Sequence, residues 1–339
     1  MYHTSLNNKK GSLICLFFVF IFVSCNSNES NEPAYYAEGS ALGTTYHITY
    51  KGNEIANLNV EIDSILKVFN YGLSTYDNLS LISQYNRGDT MYLEGNEEGL
   101  NLLVHMIGMS LPITLATDGA FDPSAAELFN VYSKAKKESV KMDTTVQRIA
   151  LEHKGYSDSL LVNNKDQILK QKDFQQFNFN AIAKGYFVDV LMNHLQSKGI
   201  QSAMVEVGGE VHAIGNNTKN EAWKIGITRP LIGGAYNDFM EVIELSNQSM
   251  ATSGNYQNFY KIGEDIVGHT LDPRTGEPVI SDLKSATIIH KECAVADAYA
   301  TACMVLGLEK SIELIKSDPS LQGYLIYEEN NELQEIHIP

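Results

Sequence analysis

Asn178-Phe-Asn-Ala-Ile-Ala-Lys-Gly-Tyr186 opens a helical pattern that runs from Ala181 to Lys198. Gly199 follows, at the place where a left-handed residue commonly ends a helix. Directly beyond it, Ala203-Met-Val-Glu-Val207, Trp223-Lys-Ile-Gly-Ile-Thr228 and Glu241-Val-Ile-Glu-Leu245 have the β-branched, apolar character of strands. A helix followed by several strands in succession is not the βαβ rhythm of a doubly wound sheet. The flanks repeat this mixture. Gly39 to Tyr50 reads as an opening strand, and Leu58, Ile62, Ile65, Leu66 and Phe69 recur at helical spacing over 57–71. Leu100, Leu103, Val104 and Ile107 do the same over 96–109, with Pro112 marking the end. Further helices are expected at 294–306 and 311–316, and 324–328 with 333–338 flank Asn330-Asn331 as a terminal hairpin. The fold class is α+β.

The chain has 339 residues and a formal charge of −16, from 25 Lys+Arg against 41 Asp+Glu. Such a surface repels a phosphate backbone, which excludes sequence-independent nucleic-acid binding. With 44% hydrophobic and 19% charged residues, the chain can bury a sizeable core. Its N-terminus reads as an address. Lys9 and Lys10 precede an apolar run from Leu13 to Val23, then Ser24 and Cys25, which is the layout of an export signal. The run is shorter than the ~20 residues a spanning helix requires. Cysteine directly after Phe22-Val23-Ser24 resembles a bacterial lipobox, so Cys25 is expected to be lipidated on the periplasmic side of a bacterial membrane. The organisation expected is a signal peptide over 1–24, a lipidated cysteine with a polar tether over 25–34, and one domain over 35–339. Cys293 and Cys303 share the last long helix, where ten residues separate them by about 15 Å. That is too far for a disulfide, and both read as core residues.

Several familiar routes to chemistry are missing. No G-x-G-x-x-G, P-loop, H-E-x-x-H, C-x-x-C or G-x-S-x-G occurs. Four local patterns remain. In 178–186, Lys184 places a cation in the first turn of a helix, the end that favours anions, and so calls for an anionic partner such as phosphate. Asp297 and Thr301, in Ala296-Asp-Ala-Tyr-Ala-Thr-Ala302, are i,i+4 neighbours that offer two hard oxygens from one helix face, as Mg²⁺ prefers. An Asp bonding a nearby backbone N–H would account for that pair equally well. Gly268-His-Thr-Leu-Asp-Pro-Arg-Thr-Gly276 is turn chemistry with His269 on the strand entering it. Asp118-Gly-Ala-Phe-Asp-Pro123 is another carboxylate-bearing turn, and Ala251-Thr-Ser-Gly-Asn-Tyr256 reads as a similar loop.

Taken in order, these patterns with Leu42-Gly-Thr44, Ser74-Thr-Tyr76 and Val207-Gly-Gly-Glu210 resemble the ApbE-like family, the FAD:protein FMN transferases, from about Leu42 to Gly307. The resemblance implies an α+β architecture with largely antiparallel sheets, similar to the tunnelling fold. It implies FAD as substrate, Mg²⁺ as cofactor, transfer of FMN to a Thr or Ser hydroxyl of an acceptor protein, and release of AMP. By motif, Leu42, Tyr76, Ala120, Phe121, Asp122, Asn178, Lys184 and Leu271 would lie along FAD. The Ala181 carbonyl, Asp297 and Thr301 would hold Mg²⁺, and His269 would serve as base. The resemblance implies acceptors that are exported segments of membrane redox complexes. The family usually carries Asp where this chain has Asn178, which removes one negative charge near the metal and phosphate. A Mg²⁺-dependent FAD pyrophosphatase and a non-catalytic flavin-binding lipoprotein are the competing expectations.

Overall fold

The computed structural model describes residues 32–339 except 90, 93–96, 139, 157–160, 163–166, 170–173, 232–237, 256–258, 263–264 and 269. The leader, Cys25, most of the tether and His269 therefore lie outside the described residues. In chain order the first elements are β1 (Ala34–Ala41), β2 (Thr44–Lys51), α1 (Leu58–Leu73), α2 (Leu81–Arg87), β3 (Met91–Tyr92) and α3 (Glu97–Ala116). Next come α4 (Ala126–Glu138), α5 (Thr144–His153), β4 (Leu161–Val162), β5 (Gln167–Leu169), α6 (Ala183–Ser197), β6 (Ser202–Val207) and β7 (Glu210–Ile214). The last part holds β8 (Trp223–Thr228), β9 (Phe239–Leu245), β10 (Gln248–Gly254), β11 (Phe259–Ile262), β12 (Asp265–Gly268) and β13 (Leu283–His290). It closes with α7 (Cys293–Leu306), α8 (Leu308–Ser317), β14 (Gln322–Glu329) and β15 (Glu332–Ile338).

Eight strands form one sheet in the order β1-β2-β6-β7-β10-β13-β14-β15, antiparallel at every step. The α+β expectation holds. Because successive side chains in a strand point to opposite faces, each central strand feeds two cores. Ala251 and Ile288 join the main core, which also contains Leu103 of α3, Phe187 and Leu191 of α6 and Ala298 of α7. Met250 and Ile289, one residue along, join a second core that also holds Trp223 and Ile227 of β8 and Leu245 of β9. The sheet is thus covered on one face by helices and on the other by the β8–β9 hairpin. Cys293 and Cys303 are free and buried, and burial pushes the Cys303 thiol up to about 12.

Three expectations about elements are corrected. Gly39 to Tyr50 is not one strand but a hairpin, in which Ala41 pairs with Thr44 across a two-residue turn. Leu42 and Gly43 both have positive φ, 51° and 80°, as a primed hairpin turn demands. Leucine replaces the usual Asn there at a strain cost of roughly 1–2 kcal/mol. Pro112 lies inside α3 rather than ending it. The helix continues because Met106, Ile107 and Ser110 before the proline, and Ile113 after it, are all buried on the core side. Their burial, at about 1.5–3 kcal/mol per large apolar side chain, outweighs the roughly 3 kcal/mol an internal proline costs. The 20-residue α3 is apolar and long enough to match a spanning segment in length and composition, yet that stripe packs into the main core. Finally, Ala251-Thr-Ser-Gly254 is not a loop but the end of β10, where small side chains let α7 pack against the strand.

The contact between α6 and α7 positions everything that follows. At Gly185 an added Cβ would lie 2.4 Å from the Cys293 carbonyl oxygen and 2.8 Å from Asp297 Cβ, so only glycine allows this approach. Just over one turn along α6, Asp189 caps α7 from outside. Its Oδ1 accepts from the Cys293 N–H at 2.9 Å and its Oδ2 from the Ala294 N–H at 2.9 Å, while His212 Nδ1 lies 2.8 Å from Oδ1. These two N–H groups begin a buried helix and have no intrahelical acceptor. Asp189→Ala leaves both without a partner, and a loss of about 3 kcal/mol is expected. A urea-unfolding midpoint unchanged in that variant would contradict the capping role.

Candidate functional site

Lys184, in the first turn of α6, reaches toward the glycine turn between β6 and β7. There its ammonium pairs with Glu210 Oε1. The turn consists of Gly208 and Gly209, with φ of 60° and 103°, and a Cβ on Gly208 would meet Thr44 Cγ2 at 2.7 Å. Two glycines here bring the β1–β2 hairpin, the start of β7 and α6 together. On the other side, Asp297 is 3% exposed, and its Oδ2 accepts from the Gly185 N–H at 3.0 Å. The acid therefore bonds a backbone donor on the neighbouring helix, not on its own. One turn further, the Thr301 hydroxyl lies 3.3 Å from the Ser253 hydroxyl of β10. Behind them Thr252 and Thr287 share a hydroxyl contact of 2.8 Å.

Lys184, Glu210, Thr252, Ser253 and Thr301 line a cavity of about 920 Å³, whereas the buried Asp297 lies off its wall. Its wall includes Thr44, Lys184, Gly208, Glu210, Ser253 and Thr301, with Ile225 to Thr228 of β8 on the far side. Thr270, next in sequence to His269, also lines it. Two buried carboxylates flank one half-buried ammonium, and their ionisation reflects that. Burial raises Asp297, against the pull of Lys184 and the Gly185 N–H. Burial works to lower Lys184, but Asp297 and Glu210 overcome it and hold the ammonium charged. Glu210 is pushed up to about 8, first by burial and then by the charge of Asp297, with Lys184 opposing.

A pH dependence follows. Between 4.5 and about 8 the folded chain retains a proton on Glu210 that the unfolded chain has released. The stability this confers is complete below the unfolded value and is lost as pH rises through the folded one. In chelator-treated protein the urea midpoint should fall across that window, and Glu210→Gln should flatten the fall. Identical profiles in the two proteins would refute it.

The other residues singled out in the sequence lie off this cavity wall. Tyr76 is 88% exposed and presents an open ring. Ala120 and Phe121 are each 1% exposed within the main core. Asp122 is buried, accepts from the Ser124 N–H at 3.0 Å, and lies 4.0 Å from Lys154. The Asn178 N–H donates to the Pro123 carbonyl at 2.9 Å, tying that turn to the entry of α6. Leu271 is buried in a small cluster with Ala125, Leu128 and Tyr132. Beside it, Asp272 takes a two-pronged ion pair from Arg274, at 2.9 Å to Nε and 2.7 Å to Nη2. Leu42 occupies the strained hairpin turn just before Thr44. Ala181 sits half-buried two residues before α6.

Sequence reasoning left three participants without a role: Glu210, Ser253 and Asp189. Glu210 follows a Gly-Gly pair at the start of a strand, and that signal could have flagged it as a carboxylate brought close to a ligand. For a hard divalent cation the donor set fits. Asp297 and Thr301 provide oxygens one turn apart on α7, and Thr301 lines the cavity. Among the described residues no group of three or more His, Cys, Asp or Glu converges on one point, so a cation here would keep water or ligand oxygens in its shell.

Residues 42–325 match the ApbE family. Curated relatives include the FAD:protein FMN transferase of Haemophilus influenzae, 30% identical over 304 residues that cover 86% of each chain. That of Vibrio cholerae is 28% identical over 319 residues, 90% of each chain. Among solved structures, the flavin transferase ApbE from Vibrio cholerae superposes with a TM-score of 0.75 at 26% identity, covering 91% of this chain and 97% of that one. The apo form of the Pseudomonas stutzeri flavinyl transferase ApbE gives 0.76 at 26% identity, covering 91% and 95%.

Proposed function

Because the chain belongs to the ApbE family, we propose that it is a transferase that moves the FMN half of FAD onto a Thr or Ser hydroxyl of another protein and releases AMP. The observation that carries this reading is the half-buried Lys184 paired with the buried Glu210 on the wall of one cavity that Thr301 also lines, with the buried Asp297 one helical turn from Thr301. An acidic chain accepts a diphosphate only where a local cation offsets its field. Lys184 provides one such charge, in the first turn of α6 on the cavity wall. Mg²⁺ held by Asp297, Thr301 and the Ala181 carbonyl would polarise the phosphoryl oxygens and offset charge on the departing AMP. His269, as a neutral imidazole, is suited to take the proton of the incoming hydroxyl. The acceptor oxygen bonds to the FMN phosphorus, the diphosphate P–O bond breaks, and AMP leaves with the bridging oxygen. Leu42, Tyr76, Ala120, Phe121, Asp122, Asn178 and Leu271 are proposed to contact the remainder of FAD.

The test uses the full chain in detergent with FAD, Mg²⁺ and an exported, threonine-bearing subunit of a membrane redox complex. Transfer predicts an acceptor mass raised by one FMN, with one AMP formed per acceptor. AMP with FMN free in solution would show hydrolysis instead, and intact FAD would show binding alone. Placement of the enzyme on the periplasmic side through a lipid on Cys25, with 26–34 as tether, belongs to the same proposal. Cys25→Ala should move the protein from the membrane to the soluble fraction without changing its transfer rate; retention in the membrane would refute the anchor.

A further inference from the structure

Glu210 presents an anomaly that Lys184 does not resolve. Its side chain is 3% exposed, Oε1 pairs with the Lys184 ammonium, and Oε2 is buried with no hydrogen-bond partner among the described residues. Leaving a buried carboxylate oxygen unpaired costs roughly 1–3 kcal/mol or more. Native structures seldom tolerate that unless something outside the chain completes the bond. Glu210 lines the cavity, which is where a partner from outside the chain would sit. A phosphate oxygen can only accept, so it suits the protonated acid but repels the carboxylate. A hydroxyl serves, because it can donate to a carboxylate and can also accept from a carboxylic acid. In FAD, hydroxyls flank the diphosphate on both sides, on the ribityl chain and on the adenosine ribose. Lys184 fixes where the diphosphate would sit, and Glu210 touches Lys184.

We infer that Glu210 is a specificity-determining residue whose free oxygen engages a polyol hydroxyl adjoining the diphosphate of the bound dinucleotide. This rests on the flavin-transferase reading and adds to it a reason for rejecting ligands that lack the hydroxyl. A site with a buried polar atom awaiting a hydroxyl discriminates strongly against the deoxy analogue, which leaves that atom unpaired.

The experiment measures binding of the full chain in detergent to FAD and to FAD analogues lacking a single hydroxyl, some on the ribityl chain and some on the adenosine ribose. The parent protein should bind one deoxy analogue at least ~10-fold more weakly than FAD. Whether that analogue lacks a ribityl or a ribose hydroxyl identifies the partner. In Glu210→Met, similar in size and without hydrogen-bonding oxygens, the preference should shrink to within ~2-fold even though FAD itself binds more weakly. Loss of packing alone would weaken every ligand alike and leave the ratio intact. If the parent binds all deoxy analogues as well as FAD, the inference is overturned, and that arm needs no variant to fold. It is also overturned if Glu210→Met keeps the parent's preference, or if only the Mg²⁺ requirement of binding shifts, which would assign Oε2 to the water shell of a cation. Failure of the parent to bind FAD under any condition would instead reject the flavin reading itself.

Discussion

Asp297→Asn should lower flavin transfer by about 10²–10³-fold or more while leaving the fold intact. The amide keeps an oxygen that can accept from the Gly185 N–H, so the bond between α6 and α7 survives. What disappears is a negative charge at the centre of the site. In the folded protein that charge is costly, since burial alone raises the carboxyl's pKa. A buried charge retained at such cost must be repaid by what it binds. Removing it should therefore leave thermal stability equal or higher while turnover collapses. That opposition separates a functional acid from a structural one, because a structural acid would lose stability and activity together. Steady-state transfer rates and melting curves on the same preparations decide it. Undiminished Mg²⁺-dependent transfer in the variant would remove Asp297 from the site.

Gly185→Ala has the second large effect, by a different route. The added methyl carbon would come within 2.4 Å of the Cys293 carbonyl oxygen, well inside van der Waals contact, so α6 and α7 must separate. Overpacking of this kind costs about 1–3 kcal/mol, although alanine recovers part of it as the better helix former. Function should suffer more than stability. Lys184 precedes the new methyl, and Asp297 and Thr301 lie on the helix it pushes away. A displacement near 1 Å at reacting groups can cost about 10²-fold in rate. Gly108→Ala in α3 is the matched control, because its added methyl would meet nothing within 4 Å. That change should stabilise the protein by about 0.5–1 kcal/mol and leave transfer unchanged. Full activity in Gly185→Ala would mean the helix contact does not set the geometry.

The parts of this arrangement differ in how plainly the sequence carries them. The pairing of Asp297 with Thr301 depends only on helical spacing, which local periodicity reveals, and both lie on α7 as expected. Lys184 at a helix start is likewise local, as is the Asn330-Asn331 turn, whose φ values of 53° and 63° suit a primed hairpin. The hairpin at Leu42-Gly43 was hidden because leucine is a poor left-handed residue, and tertiary context overrides that preference. Glu210, Asp189 and the small residues of β10 were illegible for a related reason. Each acts on a partner about 26 to 105 residues away, so no window along the chain contains both ends of the interaction. Pro112 shows the opposite error, in which a strong local signal yielded to core packing on either side of it.

Mn²⁺ soaked with FAD into crystals of the protein offers the most direct test, since its anomalous scattering locates the cation without reference to a model of the ligand. A peak is expected within coordinating distance of Asp297 and Thr301, with the diphosphate between it and Lys184. A peak elsewhere, or FAD bound outside the cavity that Lys184, Glu210 and Thr301 line, would contradict it.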